Sequence, residues 1–174
     1  MNCKSVFWRL VMVLIFIIAG QNGYSADCFS VSYVSDGTGS KFCPSGYAIQ
    51  GITCQGQYCD NKIIKCCPYM NGNPDREIRG GWSPRFSEEP PNNFYTNNRG
   101  WIAGIACFGS YCDNISLNYF YTKNLRNTGQ CGFRRFFSEE QGSDECPPGQ
   151  FVSGMRCNGA YCDNISLYCC QSSR

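Results

Sequence analysis

Apolar residues fall along this chain in short bursts, not at helical spacing. Leu10 to Gly20 is one unbroken apolar run (LVMVLIFIIAG). Beyond it the bursts are brief and recur in pairs. Segments 47–54, 101–107 and 151–157 are half apolar, and each is interrupted by one glycine, at Gly51, Gly104 and Gly154. Segments 62–67, 115–120 and 165–170 are rich in Ile, Leu, aromatic residues and Cys. Both kinds read as strands, and each pair, joined by a short polar tip, reads as a hairpin. A mid-strand glycine marks a bulge or a close backbone approach. A further strand is expected upstream of each hairpin, at 28–34, 82–86 and 133–137. No segment carries helical periodicity of useful length.

The recurrence is a true repeat. Cys43 to Cys67 reads CPSGYAIQGITCQGQYCDNKIIKCC, and Cys146 to Cys170 reads CPPGQFVSGMRCNGAYCDNISLYCC, aligned without a gap. Thr96 to Phe120, TNNRGWIAGIACFGSYCDNISLNYF, aligns with both. The shared core is G-x-x-C-x-G-x-Y-C-D-N followed by an apolar run. Upstream, Phe86-Ser87-Glu88-Glu89 matches Phe137-Ser138-Glu139-Glu140, and Ser35-Asp36 stands at the same place. The chain therefore divides into three units of about 50 residues, the period expected of repeat architectures. They run roughly 27–78, 79–126 and 127–174. No linker separates them, and Met70 to Pro74 (MNGNP) reads as a turn-rich connector within one domain.

The first 25 residues stand apart. Lys4 and Arg9 precede the apolar run, and Gly23-Tyr24-Ser25 offers small residues at a cleavage point. That is the plan of a secretory signal peptide. A membrane anchor is the rival reading, but the run is short against the roughly 20 residues that a span needs. No later segment is apolar enough to span a bilayer, so a secreted, extracellular product is expected. Cys3 leaves with the segment, and the other fourteen of the fifteen cysteines remain. Such density in an oxidising compartment predicts seven disulfides.

The middle unit acts as a natural deletion experiment on those bridges. Units one and three carry six cysteines each, whereas unit two keeps only Cys107 and Cys112. Bridges closed within units then pair Cys107 with Cys112, Cys54 with Cys59, and Cys157 with Cys162. The four cysteines that unit two lacks form two bridges in each of the others. Cys28 and Cys43 are joined to Cys66 and Cys67, and Cys131 and Cys146 to Cys169 and Cys170. Which of Cys66 and Cys67 meets Cys28 is left open. Neighbours on a strand point to opposite faces, so one bridge is expected on each face. Unit two has Gly80 or Gly81, Thr96, Tyr119 and Phe120 at the four vacated places, with Trp101 adding bulk beside them.

Three or four strands per unit, three units and no helix predict an all-β, disulfide-rich, pseudo-threefold domain. A β-prism-like arrangement is preferred over a β-trefoil, because the units lack the Gln-x-Trp signature of many trefoil lectins. Charge adds little. With Lys4 and Arg9 gone, the remaining basic residues balance the 13 acidic ones. Neither nucleic acid nor an anionic lipid surface is an expected partner.

The hairpin tip is the most repeated piece: Tyr58, Asp60 and Asn61; Tyr111, Asp113 and Asn114; Tyr161, Asp163 and Asn164. In the structural reading, the short disulfide staples the tip, Gly supplies a positive φ, and Asp and Asn bond the turn backbone. In the functional reading, a rigid aromatic loop with a carboxylate and an amide is the chemistry of sugar recognition. Three copies would then permit avidity. The Asp could also contribute to a Ca²⁺ or Mg²⁺ site, but one carboxylate per loop is a weak basis, and no cofactor or metal is expected. Asn114-Ile115-Ser116 and Asn164-Ile165-Ser166 are glycosylation sequons. Asn61 is followed by Lys-Ile and is not one, so the loop itself better explains the Asn. Glu88-Glu89 and Glu139-Glu140 read as a solvated edge or turn.

Enzymatic classes narrow quickly. The chain has no His, which removes Ser-His-Asp and Cys-His nucleophiles and His-ligated zinc. Paired cysteines remove thiolate catalysis, and no enzyme activity is expected. The three-unit, disulfide-bearing β domain with repeated Cys-Asp-Asn loops resembles the C-terminal recognition domains that follow perforin-like (MACPF) pore-forming modules. The resemblance covers the mature chain and implies recognition of a target or membrane surface without the pore-forming module. The expected function is a secreted, lectin-like recognition module for glycans or a cell-surface partner. A ligand-free structural or defence protein, and an inhibitor of a secreted hydrolase, are the alternatives.

Overall fold

The computed structural model describes residues 27–69, 77–97, 100–123 and 126–173. The expected signal segment lies outside them, as do Met70 to Pro74. Among the described residues, strands and single-turn 3-10 tips make up the regular structure. No helix among them is long and apolar enough to cross a membrane.

The strands form three four-stranded antiparallel sheets. Sheet one contains β1 (Phe29–Val34), β4 (Asn61–Pro68), β3 (Tyr47–Gln55) and β10 (Ser143–Glu145), in that order. Sheet two contains β2 (Ser40–Phe42), β7 (Gly100–Phe108), β8 (Asn114–Thr122) and β5 (Glu77–Trp82). Sheet three contains β6 (Asn93–Tyr95), β11 (Gln150–Asn158), β12 (Asn164–Ser173) and β9 (Arg126–Phe133). A prism-like arrangement asks for three such sheets. Each takes three strands from one unit and a short edge strand from another. Unit one lends β2 to sheet two, unit two lends β6 to sheet three, and unit three lends β10 to sheet one. This cyclic exchange ties the units into one body.

The mid-strand glycines explain how the lent strands fit. The central hairpin of every sheet carries a register shift just before Gly51, Gly104 or Gly154. A Cβ on Gly104 would lie 2.7 Å from the Phe42 ring and 2.8 Å from the Lys41 carbonyl, both on the lent β2. Glu145 lies over Gly51 and Tyr95 over Gly154 in the same way. The glycine is thus both bulge and seat.

Two expected strands are displaced. The strands upstream of the second and third hairpins are Glu77–Trp82 and Arg126–Phe133, and they end where strands at 82–86 and 133–137 were expected to begin. β8 and β12 are long enough to pair them, through Glu77↔Thr122 and Arg126↔Ser173. After Trp82 and Phe133 the chain leaves the ladder, touching it again only at Phe86↔Ile115 and Phe137↔Ile165. The aromatic residues of those stretches serve the core: Phe86 and Phe137 are buried beside Val34.

That core is built from equivalent positions of the three units: Ile52, Ile105 and Met155; Ile64, Leu117 and Leu167. A second cluster lies around Trp101, where Tyr69 stacks at 6.1 Å and 10° and Phe120 packs at 6.1 Å. The bridges are Cys28–Cys67, Cys43–Cys66, Cys54–Cys59, Cys107–Cys112, Cys131–Cys170, Cys146–Cys169 and Cys157–Cys162. Adjacent Cys66 and Cys67 therefore bond in different directions, Cys66 within the main core and Cys67 within the Trp101 cluster. Register corrects one counterpart. Cys170 faces Cys131 and Phe120 faces Arg79, so Arg79, not Gly80 or Gly81, holds the place of the outer cysteine in unit two.

Candidate functional site

Each tip turns in the same uncommon way. Gly56, Gly109 and Gly159 adopt φ of 75°, 73° and 78° with ψ near 180°, a region open essentially only to glycine. A side chain there would collide with the carboxylate of Asp60, Asp113 or Asp163. The next bends are left-handed: Tyr58, Tyr111 and Tyr161 have φ of 58°, 58° and 57°, and the following cysteines have φ of 56°, 61° and 60°. The Asp60 N–H then donates to the Gln57 carbonyl at 3.2 Å, as Asp113 does to Ser110 and Asp163 to Ala160.

A turn with two successive left-handed residues normally takes Asn-Gly or Asp-Gly. Here it takes Tyr-Cys. Left-handed backbone costs a non-glycine residue about 1–2 kcal/mol. The cysteine is held by its bridge across the tip, and the tyrosine by what it meets.

The tyrosines meet each other. Ring centroids of Tyr58 and Tyr111 lie 5.3 Å apart, of Tyr58 and Tyr161 5.2 Å, and of Tyr111 and Tyr161 5.3 Å. Three tips spread along the sequence converge on one aromatic triad. Tyr111 and Tyr161 remain 38% and 40% exposed, while Tyr58 is half-buried. Edge-to-face and tilted aromatic pairs are worth about 0.5–1.5 kcal/mol each, the same order as the backbone cost. The tips are therefore one composite surface, not the three separate sites that avidity would need.

The expected Asp and Asn roles change in detail. Asn61 Nδ2 donates to Asp60 Oδ1 at 2.7 Å, Asn114 to Asp113 at 2.8 Å, and Asn164 to Asp163 at 2.7 Å. The two side chains satisfy each other against the glycine instead of bonding the turn backbone. They act as a brace that sets the tip. Asn114 and Asn164, the sequon residues, are half-buried at the starts of β8 and β12. Among the described residues no group of three His, Cys, Asp or Glu side chains is placed to hold a metal ion.

Two residues at the apex escaped the sequence reading. Glu139 is no solvated edge: its Oε1 accepts the Tyr58 N–H at 3.3 Å, from a different unit. The Oε2 atoms of Glu88 and Glu139 are shielded from solvent without a hydrogen-bond partner among the described residues. The recurring Phe-Ser-Glu-Glu was the available signal. The second is Lys62, fully buried where the other units place Ile115 and Ile165. Its Nζ donates to the Cys59 carbonyl at 2.6 Å. Burial lowers its pKa to about 8, and Asp60 partly opposes the shift. The Tyr58 tip is thus held through its Cys59 carbonyl by an ammonium, where the other two units have an apolar side chain.

Compared with known proteins, the chain matches no family model, no curated protein and no solved structure.

Proposed function

We propose that this protein is an extracellular, lectin-like recognition module that binds a glycan or a cell-surface partner through the tyrosine triad. Seven disulfides fit an oxidising, extracellular setting. The convergence of Tyr58, Tyr111 and Tyr161 in positive-φ turns carries the reading. Tyrosine supplies contact area with few rotatable bonds, and a triad fixed by strained, bridged turns is already in its binding shape. No catalytic role is assigned to it. On this reading the module does what the resemblance to perforin-associated recognition domains implies, namely target recognition.

A purely architectural reading has one observation in its favour. The Asp–Asn pairs are accounted for as braces. It leaves unexplained why two of the three rings, Tyr111 and Tyr161, stay exposed at the apex. The test is a glycan array, with and without divalent cation, beside binding to intact cells before and after protease treatment. Selective retention on glycans or cells is expected. Absence of binding to both contradicts the proposal.

A further inference from the structure

The outer faces of the three sheets carry the same row of positions filled differently. In sheet one the row is closed by an ion pair, Lys65 Nζ to Glu145 Oε2 at 2.7 Å. In sheet three it is filled by aromatic rings: Tyr168 packs against Phe133 at 4.8 Å and Tyr95 at 5.4 Å. In sheet two the equivalent of Lys65 and Tyr168 is Asn118, opposite Trp82. Its shorter side chain leaves space, and Phe42 and Trp82 meet across it at 5.3 Å, 45% and 42% exposed. The outer disulfide of the other sheets is also missing here, replaced by Arg79 facing Phe120.

The result is a groove with Trp82 at its centre. On one side lies a cavity of about 410 Å³, walled by Phe42, Arg79 and Asn118. On the other lies one of about 450 Å³, walled by Ser40, Arg85 and Phe108. Trp82 lines both. The face points away from the core, since the alternate residues Ile105 and Leu117 are buried on the other side.

Arginine outnumbers carboxylate in the groove, with Arg79 and Arg85 against Glu77. Glu77 reaches the first cavity, but it is a brace: its carboxylate accepts from Ser45 Oγ at 2.7 Å, Gly46 N–H at 2.6 Å and Tyr69 OH at 2.7 Å. Arg79 is exposed, and Arg85 lies 3.7 Å over the Phe108 ring. Neither meets a carboxylate within ion-pair distance among the described residues. An exposed indole stacks on the apolar face of a sugar ring, and an arginine on each side offers a fork for a carboxylate or sulfate. A peptide that extends the sheet would pair at its edge and not on this face.

We propose that the outer face of sheet two is a second binding site, for an acidic oligosaccharide that crosses Trp82 and sets anionic groups on Arg79 and Arg85. The test is calorimetric titration of the full mature protein with hexagalacturonate and with a heparin hexasaccharide. A neutral hexasaccharide of similar length and a Glu hexapeptide serve as comparisons. Binding of at least one acidic hexasaccharide is expected, weakened tenfold or more by Arg79→Gln, by Arg85→Gln and by Trp82→Ala, and weakened by added salt. Arg135→Gln removes an exposed arginine elsewhere and is expected to change affinity less than twofold. The two Arg→Gln variants keep the test valid if Trp82→Ala lowers the melting temperature. No binding of either acidic hexasaccharide overturns the proposal. So does equal binding of the neutral sugar or the Glu hexapeptide, or binding that survives both arginine substitutions.

Discussion

The ring of Tyr58 lies 5.2 Å from the ring of Tyr161, although the whole middle unit separates them in the chain. Each sits in a left-handed turn behind a short disulfide, and Tyr111 completes the set. The repeat thus does more than stabilise three similar hairpins. It brings their tips to one place.

Lys62 gives the stability of this arrangement a pH signature. An unfolded lysine titrates near 10.5 and the folded Lys62 at about 8, so between these values the unfolded chain binds the extra proton. Stability therefore rises as pH increases from 8 towards 10. Above 10 Tyr69 reverses the trend, because burial and the hydrogen bond to Glu77 hold its phenol protonated in the fold while the unfolded chain ionises. Urea melts at pH 7, 8.5, 10 and 11.5 should give a maximum near pH 10. Lys62→Ile, matching Ile115 and Ile165, should remove the rise and add on the order of 2–3 kcal/mol at pH 7. A flat wild-type profile from pH 7 to 10 would show that the ammonium is not desolvated as described.

Trp101 replaces covalent closure in unit two. It is fully buried against Tyr69 and Phe120. Unit one has only Ala48 at this place and a Cys28–Cys67 bridge beside it. Trp101→Ala should cost about 3–5 kcal/mol. Trp101→Phe should cost much less, because the indole N–H it removes is buried without a partner among the described residues. Equal losses for the two variants in chemical denaturation would contradict this account.

Much of this was legible in the sequence. The hairpins could be placed because Gly-x-x-Cys-x-Gly-x-Tyr-Cys-Asp-Asn recurs in register. The cysteines could be grouped because unit two lacks four of them together. The lent strands could not be read: Ser40–Phe42, Asn93–Tyr95 and Ser143–Glu145 are three residues each, too short for periodicity, and their partners lie in other units. The upstream strands were misplaced because Phe133 to Phe137 looks like a strand, while its register is set by the length of β12. The convergence of the tips depends on how the sheets face one another, which no local pattern encodes. Lys62 was visible as a lysine at an isoleucine position, but its burial was not.

The lent strands predict a contrast between two glycines. A Cβ at Gly104 meets the Phe42 ring and the Lys41 carbonyl of β2, whereas one at Gly132 meets nothing within 4 Å. Gly104→Ala should destabilise by about 1–3 kcal/mol through overpacking. Gly132→Ala should stay within about 0.5 kcal/mol of wild type. Thermal melts of the two variants are sufficient, and similar behaviour would mean that β2 does not seat on Gly104.

The central claim is that the triad recognises a ligand and is not merely a structural plug. The most direct measurement combines melting temperature and binding for Tyr58→Asn, Tyr111→Asn and Tyr161→Asn made together. Asparagine tolerates the left-handed turn, so the backbone strain it relieves offsets the lost ring contacts. The melting temperature should move by no more than about 2–4 °C, the equivalent of about 1 kcal/mol for a chain of this size. Binding to the glycan array and to intact cells should be lost. A triple variant that melts and binds like wild type would contradict the account, as would one that loses its fold before its binding can be measured.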